Sequence, residues 1–198
     1  PVRFIGNYSS GKMGFALAEA CAERGAEVTL VAGPVSLKTH HPAIKRIDVE
    51  SAGEMYQAAM TAFPSSDAAI LCVAVADYRS ENASEQKIKR ETEREMTLHL
   101  VPNPDIAASL GAIKREGQVM VGFALETNDE ATHAEGKLKR KNLDFIVLNS
   151  LRDQGAGFRC DTNKITIIDN AGGVTSYPLK TKREVACDIV NKLVTLLK

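Results

Sequence analysis

Two absences narrow the classes of protein to which this sequence can belong. Lys and Arg number 25 and Asp and Glu number 25, so neither sign of charge is in excess. Proteins that bind nucleic acids or membrane surfaces usually carry a basic excess, so both classes are disfavoured. The strongest apolar run, residues 68–76, is far too short to cross a bilayer. A local basic site for a small anion remains compatible with this composition.

The cysteines and histidines also lack the spacing of a metal site. Four cysteines are present, at Cys21, Cys72, Cys160 and Cys187, and no two of them form a Cys-x-x-Cys pair. A zinc site or a disulfide framework is therefore not expected, and no metal-ligating residues are predicted. Gly-x-Ser-x-Gly and His-Glu-x-x-His motifs are absent. Unpaired cysteines fit a reducing cytosol, so a cytoplasmic protein is expected. No charged segment followed by an apolar one opens the chain.

The sequence does contain short apolar runs that alternate with helical patterns. The runs are residues 28–31, 44–49, 69–74, 119–124 and 145–148. Most are apolar throughout, which is typical of strands covered on both faces of a parallel sheet. The alternation predicts an α/β fold: a Rossmann-like, doubly wound, mostly parallel sheet with helices on both faces. A length of 198 residues predicts one domain, residues 1–198.

Capping residues mark where the predicted helices begin and end. Gly25 is expected to stop the first helix. Capping-box patterns are formed by Ser51 with Glu54, Thr127 with Glu130 and Thr181 with Glu184. Asn103 followed by Pro104 is typical of an N-cap with proline at the first helical position.

Two segments depart from the alternation of strand and helix. Residues 81–100 are charged and then alternate at Met96, Leu98 and Leu100, which predicts a mobile basic flap that enters a strand. Residues 164–168 and 174–177 flank a turn at 169–173 and predict a small β-hairpin. The hairpin is expected either at an edge of the sheet or at a dimer contact.

The first segment that could carry chemistry is residues 6–14, which run into a helix. It nearly matches a Walker A loop, but Met13 stands where Ser or Thr would hold magnesium. Small residues and a helix N-terminus nevertheless suit an anion, because backbone N–H groups can approach its oxygens. An ordinary glycine-rich helix cap is the alternative.

Further candidates follow the predicted strands. Asp77 comes after the apolar run 69–74, and Phe123 lies near the end of the run 119–124. Ligands of open α/β sheets bind beyond the carboxyl ends of the strands. A carboxylate at Asp77 suits a ribose, a base or a metal-bound water, and a simple turn cap is equally compatible. Phe123 is equally compatible with a place in the core.

Two basic clusters complete the set, residues 87–90 and 137–141. Lys137 and Lys141 are four residues apart and share one helix face. A triphosphate needs several cations, whereas a solvated helix face is the alternative. Because all the candidates fall on one edge of the predicted sheet, a single anion site is favoured over unrelated turns.

Five segments, taken in order, resemble bacterial phosphopantothenate–cysteine ligases, which usually form the C-terminal half of a bifunctional coenzyme A biosynthesis protein. The segments are residues 3–14, 74–79, 87–89, 103–106 and 121–127. The resemblance implies that the carboxylate of 4′-phosphopantothenate attacks the α-phosphate of CTP and releases pyrophosphate. The amine of L-cysteine then attacks the acyl-cytidylate and releases CMP. It also implies Mg²⁺ for the triphosphate, a homodimer, and no flavin in this chain, although relatives join it to a flavin-dependent decarboxylase.

The resemblance assigns roles residue by residue. Asn7 matches an asparagine that contacts the acyl-cytidylate, Arg3 an arginine of the second half-reaction, and Lys87 a lysine of the flap expected to act in catalysis. The phosphate loop is matched by Ser9, Ser10, Gly11, Lys12, Met13 and Gly14. The other nucleotide-binding positions are matched by Leu71, Cys72, Val73, Asp77, Lys87, Asn103, Pro104, Asp105, Ile106, Phe123, Lys137 and Lys141.

Two other functions stay open on the sequence. An NAD(P)-binding oxidoreductase would share the fold, but the Gly-x-Gly-x-x-Gly spacing with a trailing acidic residue is absent. A non-catalytic nucleotide-binding domain is the second. Relatives also carry a strand and a Gly/Pro-rich loop before the arginine that Arg3 matches, so an N-terminal strand is expected to be missing from residues 1–198.

Overall fold

A central sheet of five strands organises the molecule in a computed structural model that describes residues 5–7, 9–82, 84, 97–126, 130–150 and 160–197. The strands of this sheet are β3 (Ala68–Leu71), β6 (Val119–Glu126), β7 (Phe145–Ser150), β9 (Ile165–Asp169) and β10 (Val174–Ser176), in the order β3-β6-β7-β9-β10. The β3–β6 and β6–β7 pairs are parallel, and β9 and β10 extend the sheet antiparallel. The mostly parallel sheet predicted from the apolar runs is confirmed.

Three two-stranded ladders accompany the central sheet. The first is a parallel pair, β1 (Val28–Ala32) with β2 (Ile44–Asp48). The second is an antiparallel ribbon, β4 (Tyr78–Ser80) with β5 (Leu100–Pro102). The third is β8 (Thr162–Asn163) with β11 (Lys180–Thr181). The last two consist of strands of two or three residues, which are too short to show a period in sequence.

Helices cover both faces of the central sheet. They are α1 (Lys12–Ala22), α2 (Ala52–Ala62), α3 (Ile106–Ile113), α4 (Glu130–Arg140) and α5 (Lys182–Leu196), with a 3₁₀ turn at Phe63–Ser65. Successive side chains of a strand point to opposite faces, so Val121 packs under α1 and α5, whereas Met120 packs under α2, α3 and α4. Both faces are thus buried, which explains why the strands are apolar throughout. No helix of the described segments combines the length and apolarity of a membrane span.

Two cap predictions are confirmed, and one is wrong. Ser51 accepts a hydrogen bond from the N–H of Glu54, and Thr181 forms a full capping box with Glu184. Asn103 is not the N-cap of α3: the helix begins at Ile106, and Asp105 caps it by accepting from the N–H of Ala108. Asn103 instead hydrogen-bonds the carbonyls of Ala76 and Asp77, which joins the end of β5 to the start of β4. Thr127 lies outside the described residues.

The strand predictions need two corrections in position. The apolar run predicted as a strand over 69–74 leaves the sheet earlier, since β3 ends at Leu71. The strand expected from the alternation at residues 96–100 is placed later, at β5 (Leu100–Pro102), where it pairs with β4. Of the flap expected before it, residues 83 and 85–96 lie outside the described residues. The hairpin of β9 and β10 is confirmed, and β10 forms an edge of the central sheet.

Candidate functional site

A cavity of about 310 Å³ opens at the carboxyl ends of β3 and β6. Ten of the residues predicted to bind the nucleotide line it: Leu71, Val73, Asp77, Asn103, Pro104, Asp105, Ile106, Phe123, Lys137 and Lys141. These residues come from four separate stretches of the chain, and the parallel register places Leu71, the last residue of β3, opposite Gly122 in the middle of β6. Their convergence follows the rule that ligands of open α/β sheets bind beyond the carboxyl ends of the strands.

One wall of the cavity is a pair of opposite charges. The Nζ atom of Lys141 lies 3.0 Å from Oδ2 of Asp105. Burial alone would raise the pKa of the Asp105 carboxyl, but the N–H of Ala108 and the Lys141 ammonium bring this pKa below its ordinary value. Lys137 lies one turn earlier, and the N–H of Lys141 donates to its carbonyl at 3.1 Å. Two lysines on one helical face therefore reach the same cavity, as their spacing predicts.

Asn103 joins the opposite wall to the β4–β5 ribbon. Its Nδ2 donates to the carbonyl of Ala76 at 2.8 Å, and its own N–H donates to the carbonyl of Asp77 at 2.8 Å. Nη1 of Arg79 reaches the carbonyl of Pro102 at 2.7 Å. These bonds fix the backbone on either side of Asp77, whose side chain is exposed at the rim.

The glycine loop, residues 9–14, lies against the end of β3 but does not line this cavity. Gly11 adopts a positive φ of 74° as the N-cap of α1, where a Cβ would come within 3.2 Å of Val35. A Cβ at Gly14 would lie 3.7 Å from the carbonyl oxygen of Cys72, so the start of α1 packs on the residue that follows β3. Ser9 is held locally, since its Oγ accepts from the N–H of Gly11 at 3.3 Å.

Asn7 connects the glycine loop to the cavity. Its Nδ2 donates to the carbonyl of Val75 at 3.1 Å, and Val75 is a cavity-lining residue. The loop and the cavity are therefore neighbours at one edge of the sheet. Of the other predicted residues, Ser9, Ser10, Gly11, Lys12, Met13, Gly14 and Cys72 do not line the 310 Å³ cavity, and Arg3 and Lys87 lie outside the described residues.

A second cavity, of about 270 Å³, lies beside α1, the helix that the loop enters. It is lined by Lys12, Phe15, Ala16, Glu19, Leu37, Lys38, Asp161 and Lys182. Nζ of Lys12 lies 2.6 Å from Oδ1 of Asp161, across 149 positions of sequence. Asp161 and Lys182 are absent from the sequence prediction, because an Asp-Thr-Asn stretch and a helix start resemble ordinary turn and capping signals.

The buried Cys72 thiol is a poor nucleophile, and the acidic side chains of the described segments are not grouped as metal ligands. Burial raises the pKa of the Cys72 thiol to about 12, so this thiol stays protonated at neutral pH. All four cysteines are free. Within the described segments, no group of three or more His, Cys, Asp or Glu side chains is placed to hold a metal ion.

The comparisons with known proteins agree with this architecture. Residues 1–197 match the family model of the DNA/pantothenate metabolism flavoprotein C-terminal domain. The chain is 46% identical over 198 residues to the Coenzyme A biosynthesis bifunctional protein CoaBC of Vibrio parahaemolyticus, covering 100% of this chain and 49% of that protein. It is 57% identical to a protein of unknown prokaryotic origin named Cysteine/Cysteine sulfinic acid decarboxylase, covering 100% of this chain and 55% of that protein.

A solved structure supports the same assignment. The crystal structure of the C-terminal domain of Coenzyme A biosynthesis bifunctional protein CoaBC matches with a TM-score of 0.82 at 36% identity, covering 99% of this chain and 87% of that one. The chain spans about half the length of the curated relatives it matches. The resemblance drawn from the five segments is confirmed at the level of the family. The chain belongs to the DNA/pantothenate metabolism flavoprotein C-terminal domain family.

Proposed function

We propose that this chain joins 4′-phosphopantothenate to L-cysteine through an acyl-cytidylate made from CTP. The observation that carries the proposal is the 310 Å³ cavity, where ten residues matched to nucleotide-binding positions converge. Membership of the family and the similarity to proteins named for coenzyme A biosynthesis support the same substrates.

The chemistry requires activation of a poor acyl donor. A carboxylate oxygen of phosphopantothenate forms a bond to the α-phosphorus of CTP, and the bond from that phosphorus to the pyrophosphate oxygen breaks. The nitrogen of cysteine then bonds to the acyl carbon, the acyl–oxygen bond breaks, and CMP leaves as the nitrogen gives up its proton. Both steps concentrate negative charge at phosphorus or at the acyl oxygen, so fixed positive groups stabilise their transition states.

The residues of the cavity suit this demand. Lys137 and Lys141 supply two positive charges on one wall, and Asp105 holds the Lys141 ammonium in place. Holding the phosphate between fixed cations lowers the barrier both by positioning and by electrostatic stabilisation. We propose that the amide of Asn7, whose Nδ2 donates to the carbonyl of Val75, holds the acyl oxygen without adding a competing nucleophile.

We propose that Mg²⁺ accompanies the triphosphate of CTP. Magnesium prefers oxygen ligands and often takes several of them from substrate phosphates. The exposed carboxylate of Asp77 at the cavity rim suits contact with a metal-bound water. The ion would neutralise the phosphate oxygens while the lysines act on the α-phosphate.

The decisive experiment measures pyrophosphate release with each nucleoside triphosphate in turn. We expect release only when CTP and phosphopantothenate are both present, and formation of phosphopantothenoylcysteine after L-cysteine is added. Activity with ATP in place of CTP would correct the nucleotide. Binding of CTP without any pyrophosphate would instead make the chain a non-catalytic nucleotide-binding domain, and hydride transfer with NADPH would make it an oxidoreductase.

The proposal also includes partners. We propose a homodimer, and a flavin-dependent decarboxylase on the same polypeptide in the organism, because curated relatives are named bifunctional and are about twice as long. Light scattering on the purified chain, whose mass is 21.4 kDa, tests the dimer. A monomer mass at assay concentrations would contradict it.

A further inference from the structure

Lys12, the lysine of the glycine loop, has a partner far away in sequence. Its Nζ lies 2.6 Å from Oδ1 of Asp161, and the two side chains are 37% and 85% exposed. In a loop of this type the lysine is the cation expected to meet phosphate oxygens. Here its charge is matched by a carboxylate of the same chain.

The backbone around Asp161 is fixed by one residue, Lys182. The N–H of Lys182 donates to the carbonyl of Asp161 at 2.9 Å. Its ammonium donates to the carbonyls on either side, those of Cys160 and Thr162. Three consecutive carbonyls are therefore bound by the first residue of α5, which is only 7% exposed. The pairing of β8 with β11, Thr162 opposite Thr181, ties the same segment to the helix start.

The charges around Asp161 keep its carboxylate ionised. The hydrogen bond from Lys12 and the nearby charge of Lys182 lower the pKa of Asp161 below its ordinary value. The ionised carboxylate of Asp161 disfavours the binding of a polyphosphate at Lys12 in two ways. It occupies the Lys12 ammonium, and it repels the anion. A phosphate that binds the loop through Lys12 must therefore displace or share this partner.

We propose that Asp161 is a positioning residue that holds Lys12 at the rim of the 270 Å³ cavity and yields it to the nucleotide phosphates. Lys182 fixes the backbone from which Asp161 reaches Lys12. The carboxylate of Asp161 weakens phosphate binding. When it pairs with Lys12 again, it helps pyrophosphate to leave. The inference rests on the proposed function, since it assumes that the loop receives the phosphates of a nucleoside triphosphate.

The experiment is a double-mutant cycle read by titration calorimetry with CTP and, separately, with inorganic tripolyphosphate. Asp161→Asn should tighten binding of both probes by about two- to fivefold, the range set by the strength of an exposed ion pair. Lys12→Met should weaken binding, and Asp161→Asn should have a clearly smaller effect in the Lys12→Met background, because only the direct repulsion of the anion is then removed. Asp161→Glu should restore the wild-type affinity, and Lys182→Met should reduce the effect of Asp161→Asn.

A matched control removes a similar ion pair elsewhere. Glu23, the C-cap residue of α1, pairs with Arg183 of α5 at 2.8 Å, and their side chains are 45% and 76% exposed. Glu23→Gln deletes a carboxylate that pairs with α5 without touching the loop, so the affinity for both probes should not change. At physiological ionic strength, charges farther apart than about 8 Å are largely screened, so a general charge effect should be small.

The outcomes separate this inference from the proposed function. Unchanged or weaker binding in Asp161→Asn would overturn it, as would an effect of equal size in the Lys12→Met background. If the wild type turns over CTP but shows either result, the proposed function stands and the inference falls. If the cycle behaves as expected with tripolyphosphate but no pyrophosphate is released from CTP, the inference stands and the proposed ligase falls. Failure of both probes to bind the wild-type protein would overturn the inference as well.

Discussion

At the scale of single residues, neighbouring lysines of one helix have different surroundings. Lys137 of α4 lines the 310 Å³ cavity, whereas Lys139, two positions later, is exposed and does not line it. Residues two apart on a helix do not face the same way, and residues four apart do. The pair formed by Lys137 and Lys141 is therefore selected by helical spacing from a run of basic residues that look alike in sequence.

This difference gives a prediction with an internal control. Lys137→Ala should raise the activation free energy of CTP-dependent pyrophosphate release by about 2–4 kcal/mol. This is the size expected for a group that contacts developing charge. Lys139→Ala removes the same charge from the same helix and should leave the rate unchanged. Steady-state kinetics of both variants decides. Equal losses in the two would mean that the cluster acts only through its general positive charge.

Some residue-level predictions fail because local signals compete. Asn103 and Asp105 are both good N-caps, and Pro104 suits the first helical position, so sequence favours the earlier start. In the structure Asn103 bonds the carbonyl of Ala76, a contact across 27 positions of sequence. Such a contact has no local pattern. Of the predicted residues that line the cavity, Leu71 and Phe123 belong to strands of the central sheet, and Lys137 and Lys141 share a helix face, whereas residues 103–106 follow the short strand β5.

At the scale of elements, the cavity depends on close contact between α3 and the turn that follows α4. Nδ2 of Asn142 donates to the carbonyl of Gly111 at 3.0 Å, and Nζ of Lys114 lies 2.6 Å from Oδ2 of Asp144. A Cβ at Gly111 would lie 2.8 Å from the carbonyl carbon of Lys141. Only glycine allows α3 to approach the backbone of Lys141 this closely. The same contact sets the distance between Asp105, at the start of α3, and Lys141.

Gly111→Ala should therefore destabilise the protein by about 1–3 kcal/mol, because the added methyl group meets backbone instead of a side chain that can move. Chemical denaturation measures this loss. Gly136 lies within α4, and among the described residues a Cβ there meets no atom within 4 Å beyond the helix's own backbone. Gly136→Ala should stabilise by about 0.5–1 kcal/mol, since alanine is the better helix former. Loss of stability in both variants, or in neither, would contradict the proposed contact.

At the scale of the whole molecule, the sheet was predictable because burial on both faces leaves a strong apolar signature. Val121 and Phe145 belong to strands with apolar side chains on both faces. The β4–β5 and β8–β11 ladders were not predictable, since their strands are too short to show a period and pair only through distant contacts. The elements that can be predicted from sequence are therefore those that form the core. The short ladders beside the site pair through contacts between distant parts of the chain, which leave no local sequence pattern.

The acid sensitivity of the molecule also follows from contacts distributed over the whole fold. Carboxyl groups whose pKa values are lowered by N–H, hydroxyl or lysine partners are Glu54, Asp105, Asp161, Asp169 and Glu184. The hydrogen bond from Lys192 is the main cause at Asp169, whose carboxylate also accepts the N–H of Gly173 at 2.7 Å. Each such group titrates at a lower pH in the folded protein than in the unfolded chain.

The unfolded chain therefore takes up protons first as the pH falls, so these groups stabilise the fold fully above their unfolded pKa values and lose this contribution as the pH falls through their folded values. The free energy of unfolding should be steady near neutral pH and should fall between about pH 5 and about pH 3. Urea unfolding across this range measures it. Asp169→Asn removes one of the titrating groups, so its free energy of unfolding should decline less steeply than that of the wild type. A wild-type stability that rises on acidification, or an identical slope in Asp169→Asn, would show that these contacts do not set the acid limit.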